Sequence, residues 1–574
     1  MKTLTGIAAS SGITVGRAHV HRPVELAIER REVEDAGAEM VRLQRALDQS
    51  REQISEIHAR TQDEAGEDIA RIFEAHLLIL QDPVLLEEVG KKTGEAHVNV
   101  EVAWTDAIEG YASLLEGMED EVMCARAADV RDVGKRVLRN MLGISEQSLA
   151  RLSSPAIIVA RDLTPSDTAQ MDKEMVLGFC TASGGTTSHT DIMARILGIP
   201  AVVGLGQEIL EVKDGQLLIV DGAEGVVVVD PGEAVSAGYV QRQRQFEARR
   251  ELAKAAAQRP AVTTDGHQVE VVANIGDVDS ARIALEYGGE GVGLLRTEFL
   301  YLDRASLPGE EEQYAAYRAI ADVMGRRPLV VRTLDVGGDK QLPYLDFGEE
   351  RNPFLGWRAI RLCLERVDLF KTQLRAILRA SHERNVKVMF PMIADVGEVR
   401  QAKKILAQVM GELDSAGIPF DPGVEVGIMI ETPAAALAAD ILAGEVDFFS
   451  IGTNDLIQYT MACDRTNEHI SYLYRPLHPV ILRLVKTVVD AGHRAGRWVG
   501  MCGEMAGEGQ AIPILLGLHL DEFSVNPSAI PSAKEIIRSL SLEESQRVAA
   551  AALDLKTEAE VRRYVDNALG QAVK

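Results

Sequence analysis

Cysteine is scarce in this chain and forms no pattern. Cys124, Cys180, Cys363, Cys463 and Cys502 are odd in number, widely scattered and without CxxC spacing, which argues against a disulfide framework and a structural zinc and fits a reducing cytoplasm. Long hydrophobic runs are lacking as well. The start Met1-Lys2-Thr3-Leu4-Thr5-Gly6 has no apolar stretch like that of a signal peptide, and no later run approaches membrane-spanning length, so the expectation is a soluble, cytoplasmic protein without membrane insertion. Positive charge is in deficit, with 61 Lys and Arg against 87 Asp and Glu and a formal net charge of -26. This balance argues against nucleic acid or an anionic membrane as partner, and any phosphate site must be locally cationic.

What is present suits several folded cores. A chain of 574 residues with 46% hydrophobic content exceeds what one core supports. From Arg31 to Gly143 the sequence is rich in Ala, Leu, Glu and Arg with apolar residues at helical spacing, as in Met40-Val41-Arg42-Leu43-Gln44-Arg45-Ala46-Leu47, and reads as a helical bundle. Gly6 to Ile13 before it, and Ala156–Ala160, Leu217–Val220 and Val226–Val229 after it, read as short strands and turns. The bundle, 31–143, therefore interrupts an α/β domain formed by 1–30 and 144–231. A charged, Ala- and Gln-rich stretch, 232–259, reads as a solvated linker helix.

Within the α/β domain, Gly184-Gly185-Thr186-Thr187-Ser188-His189-Thr190-Asp191 places a histidine between a flexible loop and the first turn of a helix. Ser188 and Asp191 are spaced as a variant capping box, Ile192, Met193, Ile196 and Leu197 follow at helical spacing, and Gly198 and Pro200 stop the run. Free amides and the positive dipole end at a helix start disfavour imidazolium and favour a bound anion. His189 there is kept neutral, nucleophilic and suited to carrying phosphate.

After Pro260 come eight β-like runs separated by helical stretches, beginning near Val269, Gly291, Leu329, Val386, Val424, Val446, Trp498 and Leu520. That number is what a (β/α)8 barrel over 260–574 requires, and in such barrels functional groups collect where strands end. Here the runs lead into Arg296, Arg332, Glu431, Asn454-Asp455 and Cys502-Gly503-Glu504. The arginines, helped by Lys340, Arg358 and Arg465, suit a small polyanion carrying carboxylate and phosphate. Glu431 and Asp455 suffice for Mg²⁺, which takes one or two protein carboxylates and completes its shell with substrate and water; an Arg-carboxylate network without metal is the alternative. Cys502 is placed to supply a proton to an enolate. Because His189 and the barrel lie on separate domains, direct transfer calls for a swinging domain.

The motifs Gly184 to Thr190, Leu294-Leu295-Arg296-Thr297-Glu298-Phe299, Asp335-Val336-Gly337-Gly338-Asp339-Lys340, Asn352 to Arg358, Ile451-Gly452-Thr453-Asn454-Asp455-Leu456 and Gly500 to Glu504 closely resemble those of bacterial phosphoenolpyruvate-protein phosphotransferase, Enzyme I of the sugar phosphotransferase system. The likeness spans essentially the whole chain. It implies that His189, partnered by Thr168, takes the phosphoryl group of phosphoenolpyruvate and passes it to a histidine of the small carrier protein HPr. It further implies that Arg296, Arg332, Asn454 and Arg465 bind phosphoenolpyruvate, Glu431 and Asp455 hold Mg²⁺, and Cys502 protonates the enolate to pyruvate. A homodimer through the barrel is implied too, with HPr docking on the bundle around Glu67, Asp68, His76 and Arg126, where Leu78 replaces a methionine of some members. Pyruvate phosphate dikinase is similar in two domains but adds an ATP-grasp domain for which the bundle is too short. A silent regulatory protein is the rival of another class.

Overall fold

A computed structural model describes the chain apart from residues 11, 23–25, 27, 66–72, 74, 117–120, 145–151, 153, 170, 172–174, 185–193, 195–198, 303, 305, 339–341, 343, 346, 349, 466–469 and 571–574. It divides into two compact units, Met1–Glu247 and Ala248–Lys574. The cut falls inside the helix Glu233–Ala256, at the place of the expected linker.

In the first unit, strands β1 (Lys2–Thr5), β2 (Ile7–Ser10), β3 (Ile13–Val20), β4 (Ala156–Ala160), β5 (Val176–Thr181), β6 (Ala201–Val203), β7 (Leu217–Asp221) and β8 (Val226–Val229) form one sheet in the order β1-β8-β7-β3-β4-β5-β6-β2. Apolar clusters lie on its two faces, one around Ile157, Val159 and Val220, the other around Ile158, Phe179 and Val203. This is the side-chain alternation of strands covered on both sides.

Between β3 and β4 the chain leaves the sheet and runs through helices Ala36–Ala65, Pro83–Glu95, Val100–Glu116 and Glu121–Leu142. On the first, Leu43, Leu47, Ser50, Ile54 and Ile57 are buried; spacings of three and four put them on one stripe. They pack with Val89, Trp104, Ile108, Val133 and Val137. Trp104 is fully buried, and its indole N–H donates to the Gly134 carbonyl at 3.0 Å, so the ring is buried without stranding its one polar atom.

The second unit holds eight parallel strands: β10 (Gln268–Ile275), β11 (Val292–Leu295), β12 (Leu329–Arg332), β13 (Val386–Phe390), β14 (Val426–Ile430), β15 (Phe448–Ile451), β16 (Trp498–Met501) and β17 (Glu522–Val525). Each pairs with the next, and β10 pairs with both β11 and β17, which closes the barrel. The short β9 (Ala261–Val262) pairs antiparallel to β10. Outward residues such as Val331, Val388, Ile428, Phe449, Val499 and Phe523 join one large core with the surrounding helices. Leu294, Val330, Met389, Met429, Phe448 and Cys502 form a separate cluster, whose members alternate along β15 and β16 with those of the larger core. This cluster fills the barrel interior, where Phe448 stacks on Trp498 with ring centres 4.4 Å apart. Burying one such large side chain stabilises by about 2 kcal/mol.

The helices between strands begin at residues that satisfy their free amides. Asp277 and Asp395 form capping boxes with Ser280 and Glu398, and Pro479 follows the His478 cap. The strands are thus held in place from outside, and their carboxyl ends open on one rim.

Candidate functional site at the barrel rim

Arg332 is the last residue of β12, and its guanidinium is buried. Nη2 donates to Glu298 Oε1 at 2.9 Å, and Nη1 lies 3.1 Å from Asp335 Oδ2. Arg358, also buried, donates through Nη2 to both oxygens of Asp335 at 3.0 and 3.2 Å, and through Nη1 to Asp455 Oδ1 at 3.3 Å and the Tyr459 hydroxyl at 3.2 Å. Burial opposes charge on both arginines. Their carboxylate neighbours outweigh it, Glu298 and Asp335 at Arg332 and Asp335 and Asp455 at Arg358, and hold both pKa values above the ordinary guanidinium range.

Arg296, one residue past β11, is set differently. Its side chain is open to solvent although the rim crowds it. Desolvation, then the like charge of Arg332, lowers its pKa. A cation that is short of neutralising partners and reachable from solvent is a ready binder of an anion.

Glu431 follows β14 and is buried, with Oε2 accepting the Met392 amide at 2.7 Å. Its Cγ packs against Gly452, where a Cβ would stand 2.6 Å from it; this approach brings it beside Asp455 in the first turn of the helix Thr453–Met461. Burial, followed by the charges of Asp455 and Asp335, pushes the Glu431 carboxyl up to about 8. Two neighbouring carboxylates, one of them buried and holding its proton against nearby negative charge, fit a hard divalent cation. Among the described residues no group of three or more His, Cys, Asp or Glu that could hold a metal ion is found.

Two residues around these groups hold left-handed backbone despite carrying side chains: Met392 (φ 55°), whose amide grips Glu431, and Ala359 (φ 54°), next to Arg358. Such conformations cost about 1 to 3 kcal/mol each and collect at functional sites.

Cys502 ends the β16 run and is buried, with its sulfur 3.9 Å from the Ile451 carbonyl. Burial pushes the thiol up to about 12, with the Ser450 hydroxyl and Arg332 acting against the rise and Glu431 adding to it. It is therefore a protonated thiol at neutral pH. Asn454 and Glu504 join two strand ends, since the Glu504 amide donates to Asn454 Oδ1 at 3.1 Å. Arg465 is exposed and is felt electrostatically by Tyr474.

The rim thus gathers Arg296, Arg332, Arg358, Glu431, Asn454, Asp455 and Cys502. Lys340 lies outside the described residues, as do His189, its helix start, Glu67 and Asp68. In the first unit, Thr168 is buried in the short helix Pro165–Ala169, its hydroxyl donating to the Thr164 carbonyl at 3.2 Å. Arg126 is exposed. His76 corrects the sequence reading: it is wholly buried, edge-on to Phe73 and 3.5 Å from Asp129, so in this arrangement its ring offers no surface to a partner. Sequence reasoning gave no role to Glu298, Asp335 or Tyr459, the groups that fix the arginines. Glu298 and Asp335 stand two and three residues past Arg296 and Arg332, and that spacing was the available signal.

Residues 250–542 match the PEP-binding domain of PEP-utilising enzymes, residues 5–126 their N-terminal domain and residues 152–225 their mobile domain. The phosphoenolpyruvate-protein phosphotransferase of Geobacillus stearothermophilus is 50% identical over 564 residues, covering 98% of this chain and 98% of that protein. The chain belongs to the phosphoenolpyruvate-protein phosphotransferase family. The Bacillus subtilis (strain 168) member is 48% identical over 565 residues, 98% of this chain and 99% of its own length. A solution structure of an Enzyme I protein matches 42% of this chain and 99% of its own at 43% identity, with a TM-score of 0.39. The resemblance read from the motifs is thereby shown, and with it a phosphotransferase enzyme. No helix among the described residues is long and apolar enough to cross a membrane.

Proposed function

We propose that this phosphotransferase moves the phosphoryl group of phosphoenolpyruvate to His189 and then to a histidine of HPr, releasing pyruvate, in the cytoplasm and as the first step of sugar uptake. The observation that carries this reading is the convergence on one rim of a solvent-reachable guanidinium, two neighbouring carboxylates and a protonated thiol. Arg296, Arg332, Arg465, Asn454 and Lys340 grip the carboxylate and phosphate, while Arg358 ties Asp455 in place. Glu431 and Asp455 would hold Mg²⁺, which when bound neutralises charge developing on the enolate and phosphate oxygens. As the C–O–P linkage opens, the enolate carbon takes the Cys502 proton from the side that the buried thiol protects from water.

Direct transfer requires His189, with Thr168 as hydroxyl partner, to come within attacking distance of the phosphate; a swing of the domain that carries it is part of the proposed cycle. HPr would dock on the bundle around Glu67, Asp68 and Arg126, and two barrels would pair as a homodimer.

The test is incubation of the full chain with radiolabelled phosphoenolpyruvate and Mg²⁺. Label should join the protein, be lost in acid and persist in alkali, and pass to HPr when it is added. His189→Ala should take up none while still binding phosphoenolpyruvate. Acid-labile label on His189→Ala would refute the assignment.

A further inference from the structure

Which face of an enolate a thiol protonates depends on where the Cα–Cβ bond of its cysteine points, and that bond follows the two peptide planes that meet at the Cα. Both planes at Cys502 are held. On one side the Cys502 amide donates to the Ile451 carbonyl of β15 at 3.1 Å. On the other, the pairing of β16 with β17 runs through Gly500 with Glu522 and Met501 with Phe523 and stops there, so the Cys502 carbonyl lies beyond the ladder. A side chain takes it instead: Asn274 Nδ2 donates to that carbonyl at 2.9 Å and to the Ser524 carbonyl at 3.2 Å. Asn274 stands near the end of β10, half-buried at the rim. Its neighbours Val271, Ala273 and Ile275 belong to the outer core, so Asn274 faces into the barrel. On β17, Phe523 and Val525 face outward in the same way, which turns Glu522 and Ser524 inward. The buried Ser524 hydroxyl donates to Asn274 Oδ1 at 2.7 Å. Carbonyls only accept, so one orientation of the amide satisfies all three contacts. Gly503 closes the clamp, since a Cβ there would stand 2.6 Å from the Thr453 nitrogen and the chain after Cys502 has no room on that side.

We propose that Asn274 is a positioning residue for the proton transfer: held by Ser524, it fixes the Cys502 carbonyl and so aims the thiol at one face of the enolate. This rests on the reading of Cys502 as the enolate's proton donor. In that step the S–H bond of Cys502 breaks, a C–H bond of the pyruvate methyl group forms, and a thiolate is left on Cys502. Asn274 gives up no proton and acts only through the backbone it holds. Without its amide the Cys502 carbonyl is an acceptor short of a partner, a loss that drives it toward another donor and frees the Cα–Cβ bond to turn. A misplacement of about 1 Å costs up to about 100-fold in rate. An enolate that waits on a misaimed thiol takes its proton from water on either face.

The test reads the handedness of the product. Phosphoenolpyruvate with tritium at one methylene position is turned over once by full-length protein in excess, with Mg²⁺ in D₂O, and the pyruvate is trapped at once as lactate by lactate dehydrogenase and NADH. The methyl group then carries H, D and T, and its configuration tells which face received the deuteron. The wild type should give one configuration and Cys502→Ala a mixture of both. Asn274→Ala and Ser524→Ala should each shift toward the mixture, and in Asn274→Ala pyruvate should form about tenfold or more slowly. Affinity for phosphoenolpyruvate, read by titration calorimetry, should stay within about twofold of wild type, because the loss falls on the transition state. A merely structural role would slow turnover and leave a single configuration. A single configuration from Asn274→Ala, or from Ser524→Ala should Asn274→Ala not fold, overturns the positioning role alone. A mixture from the wild type, or a single configuration from Cys502→Ala, overturns the functional reading of Cys502 and the positioning role with it.

Discussion

Asp335 is the keystone of the arginine pair, and Asp335→Asn tests that directly. The substitution keeps the side-chain shape but removes the charge that faces Arg332 at 3.1 Å and Arg358 at 3.0 Å. All three residues are buried, and breaking a buried ion pair costs about 3 to 5 kcal/mol because the remaining charge is left in a poor solvent. Arg332 keeps Glu298, and Arg358 keeps Asp455 and Tyr459. Relief of the repulsion that Asp335 exerts on Glu431 also works against the loss. The expected destabilisation is therefore at the low end, about 3 kcal/mol. The unit Ala248–Lys574 has roughly 330 residues at about 2.1 cal/mol/K each, or about 0.7 kcal/mol/K, so its melting temperature should fall by about 4 °C. Calorimetry of the full chain reads this in the transition of that unit. The control is Asp279→Asn, which removes an exposed partner of Arg282 in the same unit and should cost under about 0.5 kcal/mol, less than about 1 °C. A shift for Asp335→Asn no larger than that of Asp279→Asn would refute the view that Asp335 holds the two arginines.

Glu431 holds its proton up to about 8, so the folded chain binds that proton more tightly than the unfolded one. Stability from this group is full below the ordinary carboxylate value of about 4.5 and is lost as pH rises toward about 8. Mg²⁺ competes with the same proton, so its thermal stabilisation should grow from pH ~6 to ~8 and vanish in Glu431→Gln; a shift that is flat with pH would contradict this. Asp265 behaves in the opposite sense, held down to about 2 by the Thr263 hydroxyl and then the Leu542 amide. Its stabilisation is present above about 4 and is lost as pH falls toward about 2. Melting curves of wild type and Asp265→Asn should therefore differ at pH 6 and draw together below pH ~4, and a gap independent of pH would sink the assignment.

The barrel was legible because its strands are short apolar runs whose ends carry charge, a contrast that survives in one dimension. Arg332, Glu431, Asp455 and Cys502 could be located as strand ends for that reason. Charges facing each other inside the fold leave no such mark. Glu298 and Asp335 read as ordinary loop carboxylates until β11 and β12 are laid side by side. Glu522 was hidden within the eighth apolar run, whose strand begins not at Leu520 but at this inward-facing acid. His76 came from the family resemblance and not from a pattern of its own, and a resemblance carries no statement of which way a ring faces; here it lies on Phe73 and Asp129.

The order of the first sheet has a consequence for the beginning of the chain. β1 and β2 stand at its opposite ends, bound to β8 and β6, yet only Gly6 separates them in sequence. Two ends joined by one residue must meet, so the sheet is rolled into a tube and the first ten residues are its seam. Each of the two half-seams covers a row of backbone amides and carbonyls that would otherwise offer pairing to another chain. Removing those ten residues would uncover β6 and β8 at once, converting a closed tube into a sheet with two sticky margins. The first ten residues therefore guard the first sheet against edge-to-edge pairing with the same sheet of another copy.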